Sequence, residues 1–325
     1  MDSGNIPTHV RPVVCAGMVV VDHVTPPLPR LPRSGELVPA EELVLNIGGG
    51  AANTAVDLRR LGIEVSICAR VGDDIFGRFA TETLVSHGVE VGGLRVDSGR
   101  ATSQTLILNV RGEDRRFIHS LGANRGFTAA DIDPALESPP RVLHIGYFLI
   151  LPNLDAEGLA ERFAHARRAG TITVLDVAIP GPGEYLESLR SVLPETDVFV
   201  PNRDEAELIL GEPDPIRQAL AFHDMGARRV VITQGGDGVV SVSDEARLRL
   251  GAYPVEPLDP SGGGDAFNAG YIAGLLDGLS ELDCLKLASA IGASCVRAVG
   301  TTGGVFRRDE ADEFIRQHPV AVTTF

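Results

Sequence analysis

Asp259-Pro260-Ser261-Gly262-Gly263-Gly264-Asp265-Ala266-Phe267-Asn268-Ala269-Gly270-Tyr271-Ile272 joins a run of glycines to an apolar helix. Consecutive glycines let backbone N–H groups point into one concavity, and a helix N-terminus adds partial positive charge. Such a nest holds a phosphate without any basic side chain. Asp265 places a carboxylate at its edge, where a negative charge is unfavourable unless it has a task such as accepting a proton. A plain glycine turn with Asp265 as a first-turn acid is the competing reading.

Outward from this segment, composition narrows the options. The chain has 325 residues and a net charge of −15. Lys and Arg total 29, and Lys286 is the one lysine. A Walker loop needs GxxxxGK[ST], and a protein kinase needs a strand lysine in a VAIK-like setting. Lys286 stands in Cys-Leu-Lys-Leu, so neither is present, and it reads as an exposed helix position. Glycine numbers 37, above the usual ~7%, and the excess is clustered, as turns and ligand-contacting loops require. The acidic balance disfavours nucleic acid and anionic membranes as partners. Cys15, Cys68, Cys284 and Cys295 have no CxxC spacing and read as buried reduced thiols. The histidines form no zinc pattern. MDSGNIPTHV lacks the cationic start of a signal peptide, and no apolar run reaches the ~20 residues of a membrane span. A soluble, cytoplasmic protein is the expectation.

Short apolar β-rich runs alternate with helical periodicity, which predicts an α/β fold with a mainly parallel sheet covered by helices. Strands are expected at Pro12–Val21, Ile63–Ala69, Val142–Gly146, Thr171–Asp176, Asp197–Val200 and Arg228–Thr233. Helices are expected at Gly49–Leu61, Asp74–His87, Leu154–Ala169, Asn202–Leu210 and Pro215–Met225. A last apolar stripe runs Leu282, Leu285, Ala288, Ile291, Cys295, Val299. Pro26–Ile47 and Ala101–Asn124 break the rhythm and read as hairpins that pair into one small sheet. No linker divides the chain, so one domain over 1–325 is expected, with the small sheet built from insertions near 23–47 and 98–124.

Three further clusters stand out. Gly48-Gly49-Gly50-Ala51-Ala52-Asn53 nears the dinucleotide fingerprint, but Asn53 replaces its last small residue and no acid lies at the ribose-clamp spacing. The alternative is a ligand lying against the backbone with Asn53 on its hydroxyls. Thr233-Gln234-Gly235-Gly236-Asp237-Gly238 reads as a hairpin turn. Pro201-Asn202-Arg203-Asp204-Glu205 reads as a helix start with a capping box.

In order along the chain, Asp22, Gly-Gly with Asn53, Asn202 with Glu205, Thr233 to Gly238 and Asp259 to Asp265 resemble the ribokinase-like, or PfkB, carbohydrate kinases. The resemblance covers essentially the whole chain. It implies a Rossmann-like core with a small β-sheet lid and an ATP-dependent kinase acting on a hydroxyl, typically a hydroxymethyl, of a sugar or nucleoside. It implies that Asp265 takes the substrate proton and that Gly262, Gly263 and Gly264 form the anion hole. Asn202 and Glu205 match the motif that holds Mg²⁺ through water. Thr233, Gly235 and Gly238 match nucleotide contacts, and Asp22, Gly48, Gly49 and Asn53 match sugar contacts. Asp259 and Ser261 match positions that in some members help bind a monovalent cation such as K⁺. A homodimer through the lid is implied as well. Two departures count against a phosphorylated substrate and make plain ribose less certain: Val20 and Val21 where ribose kinases carry a polar residue, and Gly50 where lysine is often found. His144–Leu149 reads as a core strand or as cover for an apolar substrate portion. A non-catalytic sugar or nucleoside sensor and an NAD-dependent enzyme are the alternatives.

Overall fold

The computed structural model describes residues 13–113 and 115–325. The N-terminal decapeptide and Pro12 therefore lie outside the described residues. The first apolar run is not one strand. It forms β1 (Val13–Gly17), then turns at Met18-Val19 into β2 (Val20–Val24) of a different sheet. Gly17 makes the break, with φ +130 and no room for a side chain. A Cβ there would lie 2.3 Å from the Gly146 carbonyl oxygen. Hydrophobicity alone is continuous through that corner, which is why it reads as one element.

The chain continues as β3 (Val44–Gly48), α1 (Gly50–Arg60), β4 (Val65–Gly72), α2 (Ile75–Ser86), β5 (Glu90–Asp97), β6 (Gln104–Leu108) and β7 (Arg116–Ser120). Then come α3 (Asp133–Leu136), β8 (Val142–Gly146), α4 (Ala156–Arg168), β9 (Ile172–Leu175), α5 (Leu186–Val192) and β10 (Val198–Phe199). The rest is α6 (Arg203–Leu210), α7 (Pro215–Asp224), β11 (Arg229–Thr233), β12 (Val239–Ser243), β13 (Arg247–Leu250), α8 (Gly263–Leu276), α9 (Glu281–Cys295), α10 (Arg308–Gln317) and β14 (Val322–Thr324).

The large sheet runs β14-β13-β12-β11-β10-β9-β8-β1-β4-β5. From β5 through β11 every pairing is parallel, and β12, β13 and β14 extend the edge antiparallel. Side chains alternate between faces along each strand. Val13 and Cys15 join one core with α1, α2, α8 and α9, while Val14 and Ala16 join the opposite core with α4, α5, α6 and α7. From β1 the chain winds one way to β4 and β5, and from β8 the other way to β11. The switch point lies between β1 and β8, the place where open α/β sheets bind ligands beyond the strand ends. Gly146 there touches the backbone of Gly50 and Ala51, which seats the start of α1 at the switch point.

The small sheet has order β3-β2-β6-β7. The Ala101–Asn124 hairpin forms as β6 and β7, paired antiparallel, but Pro26–Ile47 holds one strand rather than a hairpin: β3 pairs antiparallel with β2, which pairs parallel with β6, because the partner strand is the end of the first apolar run. Its first strand begins at Val20, inside the apolar run. Val299 leaves the last helical stripe, since α9 ends at Cys295 and Val299 is 63% exposed. All four cysteines are buried, and among the described residues none forms a disulfide. Among the described residues no helix is long and apolar enough to cross a membrane.

Candidate active site

The site is built at the N-terminus of α8. Gly262 is its N-cap at φ 74, a left-handed conformation, and a Cβ there would lie 2.3 Å from the Thr301 carbonyl oxygen. Glycine is therefore required on two counts. The first intrahelical bond runs from Ala266 N–H to Gly262 O at 2.8 Å. The N–H groups before it have no helical acceptor, so this end of the helix has donors that an anion could use. Gly263 and Gly264 line a cavity of about 600 Å³, with Thr233, Gly235 and Gly238 on its other wall and Tyr253, Phe267 and Val296 among its apolar lining. The glycine run and the Thr233–Gly238 turn thus face each other across one space.

Asp265 turns the other way, toward α1 and Tyr147 at the switch point. Its Oδ2 accepts from Asn53 Nδ2 at 2.8 Å and from the Tyr147 hydroxyl at 2.9 Å. Its Oδ1 is buried and has no partner in the protein. Burial raises its pKa to about 6, against the two hydrogen bonds that lower it. Asp22 is also buried and pushed up to about 6 by burial, with Thr105 and His23 opposing and the Asp265 charge adding to the rise. Gly48 leaves the space that the Asp22 carboxylate fills. Gly49 is the N-cap of α1, and Asn53 lies one turn into that helix. Strand register places Asn46, Thr105 and His119 in one cross-strand row with Asp22, on the same face of the small sheet. The Thr105 hydroxyl and His119 Nδ1 are 3.0 Å apart.

Asn202 and Glu205 cap α6 reciprocally: Asn202 Oδ1 accepts from Glu205 N–H at 2.8 Å, and Glu205 Oε2 accepts from Asn202 N–H at 2.9 Å. The same turn meets the Thr233 segment, since Thr233 N–H donates to Pro201 O at 3.1 Å. Glu205 is half-buried and raised to about 7 by burial, despite the Asn202 hydrogen bonds. Asp176, at the end of β9, is raised well above its ordinary value by burial, then by Glu205 and Asp265. These acids repel one another, and a divalent cation among them would relieve that repulsion. Among the described residues no three acid, His or Cys side chains are close enough to hold a metal directly.

Asp259 and Ser261 do not fit a monovalent cation. Asp259 Oδ1 accepts from Arg115 Nη1 at 3.0 Å, and the same nitrogen donates to the Ser261 hydroxyl. Asp259 Oδ2 accepts from Gly300 N–H at 2.9 Å. Both oxygens are engaged, and a guanidinium already stands there.

Sequence reasoning missed Tyr147, Asp176, Asn46, Thr105, His119 and Arg115. Tyr147 sat unmarked in the His144–Leu149 run. That run is core through Ile145, then leaves the strand at Tyr147, the one non-glycine residue with positive φ among the described residues. Tyr147 also explains Gly50: a Cβ at position 50 would lie 2.7 Å from its ring. Position 105 and position 119 could have been found from two-residue alternation in the hairpin, once its pairing with β2 was known.

Residues 11–306 match the pfkB family carbohydrate kinases. The chain is 26% identical to the ribokinase of Haemophilus influenzae over 92% of this chain and 96% of the relative. It is 28% identical to the 2-dehydro-3-deoxygluconokinase of Thermoproteus tenax over 83% and 86%. The solved structure of Arabidopsis thaliana ribokinase with ribose and ATP superposes with TM-score 0.81 at 21% identity, covering 95% of this chain and 99% of that one. With residues 11–306 matched to the family, the chain belongs to the pfkB family of carbohydrate kinases, phosphotransferases that act on sugar hydroxyls.

Proposed function

We propose that this kinase transfers the γ-phosphoryl group of ATP to a hydroxyl, typically a hydroxymethyl, of a sugar held between the small sheet and the α8 N-terminus. The observation that carries the proposal is the placement of Asp265. Its Oδ1 is buried without a partner in the protein and its charge is felt at Asp22, while Gly263 and Gly264 of the same helix start line the cavity on the other side. ATP would lie in that cavity with its phosphates toward Gly262–Gly264. Mg²⁺, held through water by Glu205 with Asp176 near, would neutralise phosphate charge. Phosphoryl transfer needs positioning and charge stabilisation, and the nest supplies both where negative charge gathers. Asp265 takes the acceptor's proton, with Asn53 and Tyr147 fixing its other oxygen.

The polar row Asp22, Asn46, Thr105 and His119 suits a polyol, and the small sheet acts as its lid. Tyr147 fills the space at Gly50 where phosphosugar kinases often carry lysine, which favours an unphosphorylated acceptor. Leu37, Leu43, Leu45, Leu106 and Ile118 leave apolar surface on the lid, and we propose that a second copy covers it. A coupled ADP-release screen tests the reading with ribose, fructose, 2-keto-3-deoxygluconate, adenosine, inosine and their phosphates. We expect ADP with an unphosphorylated sugar. Binding of a sugar without turnover would instead identify a sensor, and turnover only with a nucleoside would replace the sugar.

A further inference from the structure

Asp259 ties three segments together. It stands at the root of the glycine run, where its Oδ1 also accepts from Ser261 N–H at 2.9 Å. Its Oδ2 holds the Gly300 loop. Arg115, between the β6–β7 turn and β7, reaches it from the lid. The Arg115 and Asp259 side chains are 21% and 14% exposed, so solvent screens the pair weakly. The guanidinium also lies over the Phe117 ring at 5.5 Å from its centroid. Although burial opposes it, the N–H groups of Gly300 and Ser261, the Ser261 hydroxyl and the Arg115 charge hold the Asp259 carboxyl below its usual range. The same loop touches the lid a second time, through the Thr301 hydroxyl on Ile47 O at 3.1 Å.

We propose that Arg115 is the built-in cation of the anion-hole loop. It replaces an exchangeable monovalent ion at Asp259 and Ser261, and makes turnover independent of K⁺. A guanidinium stays charged at every working pH and is fixed by two acceptors at once. Because it is carried by the lid, it couples the loop that leads into Gly262 to the lid. Arg115 is thus a positioning residue, acting on the phosphate nest through Asp259. This inference rests on the kinase reading above.

The test uses the full chain with Tris salts of ATP, free of Na⁺, K⁺ and NH₄⁺. KCl is added against choline chloride at constant ionic strength, and both turnover and MgATP binding by calorimetry are read. For the wild type we expect both to change by less than about twofold. For Arg115→Ala we expect kcat to fall roughly 10- to 100-fold in choline, the usual scale for a displaced positioning group, and KCl to restore part of it. Arg115→Lys should keep K⁺ independence at reduced kcat. A wild type that KCl activates roughly tenfold or more would overturn the proposal, as would an Arg115→Ala enzyme with full turnover in choline. The wild-type response decides the matter even if the alanine variant does not fold. If no acceptor is turned over, the kinase reading fails, and K⁺-dependence of MgATP binding still tests Arg115 by itself.

Discussion

At the residue scale, one proton on Asp265 links activity to stability. The acid must be ionised to act as a base, so kcat/KM should rise with pH through about 6 and level off above it. Asp22 is raised to about 6 as well and is coupled to Asp265, so the limb belongs to the pair. Tyr147→Phe removes one of the two hydrogen bonds that lower the Asp265 pKa. Its pH–rate profile should shift to higher pH, with the larger loss at pH 6 than at pH 8; an unmoved limb would remove Tyr147 from the site. Stability should run the opposite way. The folded state holds this proton more tightly than the unfolded chain, whose value is near 3.8. The proton's contribution is therefore full below that value and lost as pH rises through about 6. The shift corresponds to about 3 kcal/mol. Asp265→Asn cannot ionise, so its melting temperature should exceed that of the wild type more at pH 8 than at pH 5.

At the element scale, Asn202 has two tasks, capping α6 and fixing the turn beside Thr233. Asn202→Ala should lower stability by about 1 kcal/mol in urea unfolding, the usual value of such a cap, and should raise KM for MgATP more than KM for the acceptor. Equal effects on both would mean that the cap alone matters. This is also the scale at which the sequence was most legible. The helix starts at Asn202 and at the glycine run, the strand at Val142–Gly146 and the β6–β7 hairpin rest on local rules of capping, burial and alternation. These rules do not depend on what packs alongside. The corner at Gly17 was illegible because apolar residues continue through it. The need for glycine at that corner comes in part from Gly146, on a strand more than a hundred residues away in the sequence. The site divided in the same way. Asp265, Asn53 and Glu205 announce themselves by motif. Tyr147, Thr105 and Arg115 gain meaning only from register and from a lid that folds back over the glycine run.

At the scale of the whole molecule, two sheets meet at one helix end. The large sheet supplies the switch point, and the small sheet supplies the polar row that includes Asp22. The lysine deficit fits this plan. Lys286 lies on α9, with its ammonium on Asp283 at 3.2 Å. In the proposed binding mode, phosphate charge would be met by backbone N–H groups, a helix terminus, a metal ion and arginine. If the apolar lid surface joins two copies, light scattering on a size-exclusion column should show a dimer. Ile118→Lys should return it to a monomer, and a monomeric wild type would remove the second copy from the account. The central claim is that Asp265 removes the acceptor's proton during phosphoryl transfer. Its most direct test is single-turnover ADP formation by Asp265→Asn against wild type, with the acceptor found in the screen and at saturating MgATP. The account predicts a loss of roughly 10²- to 10⁴-fold with MgATP affinity nearly unchanged. Turnover within a few-fold of wild type would contradict it.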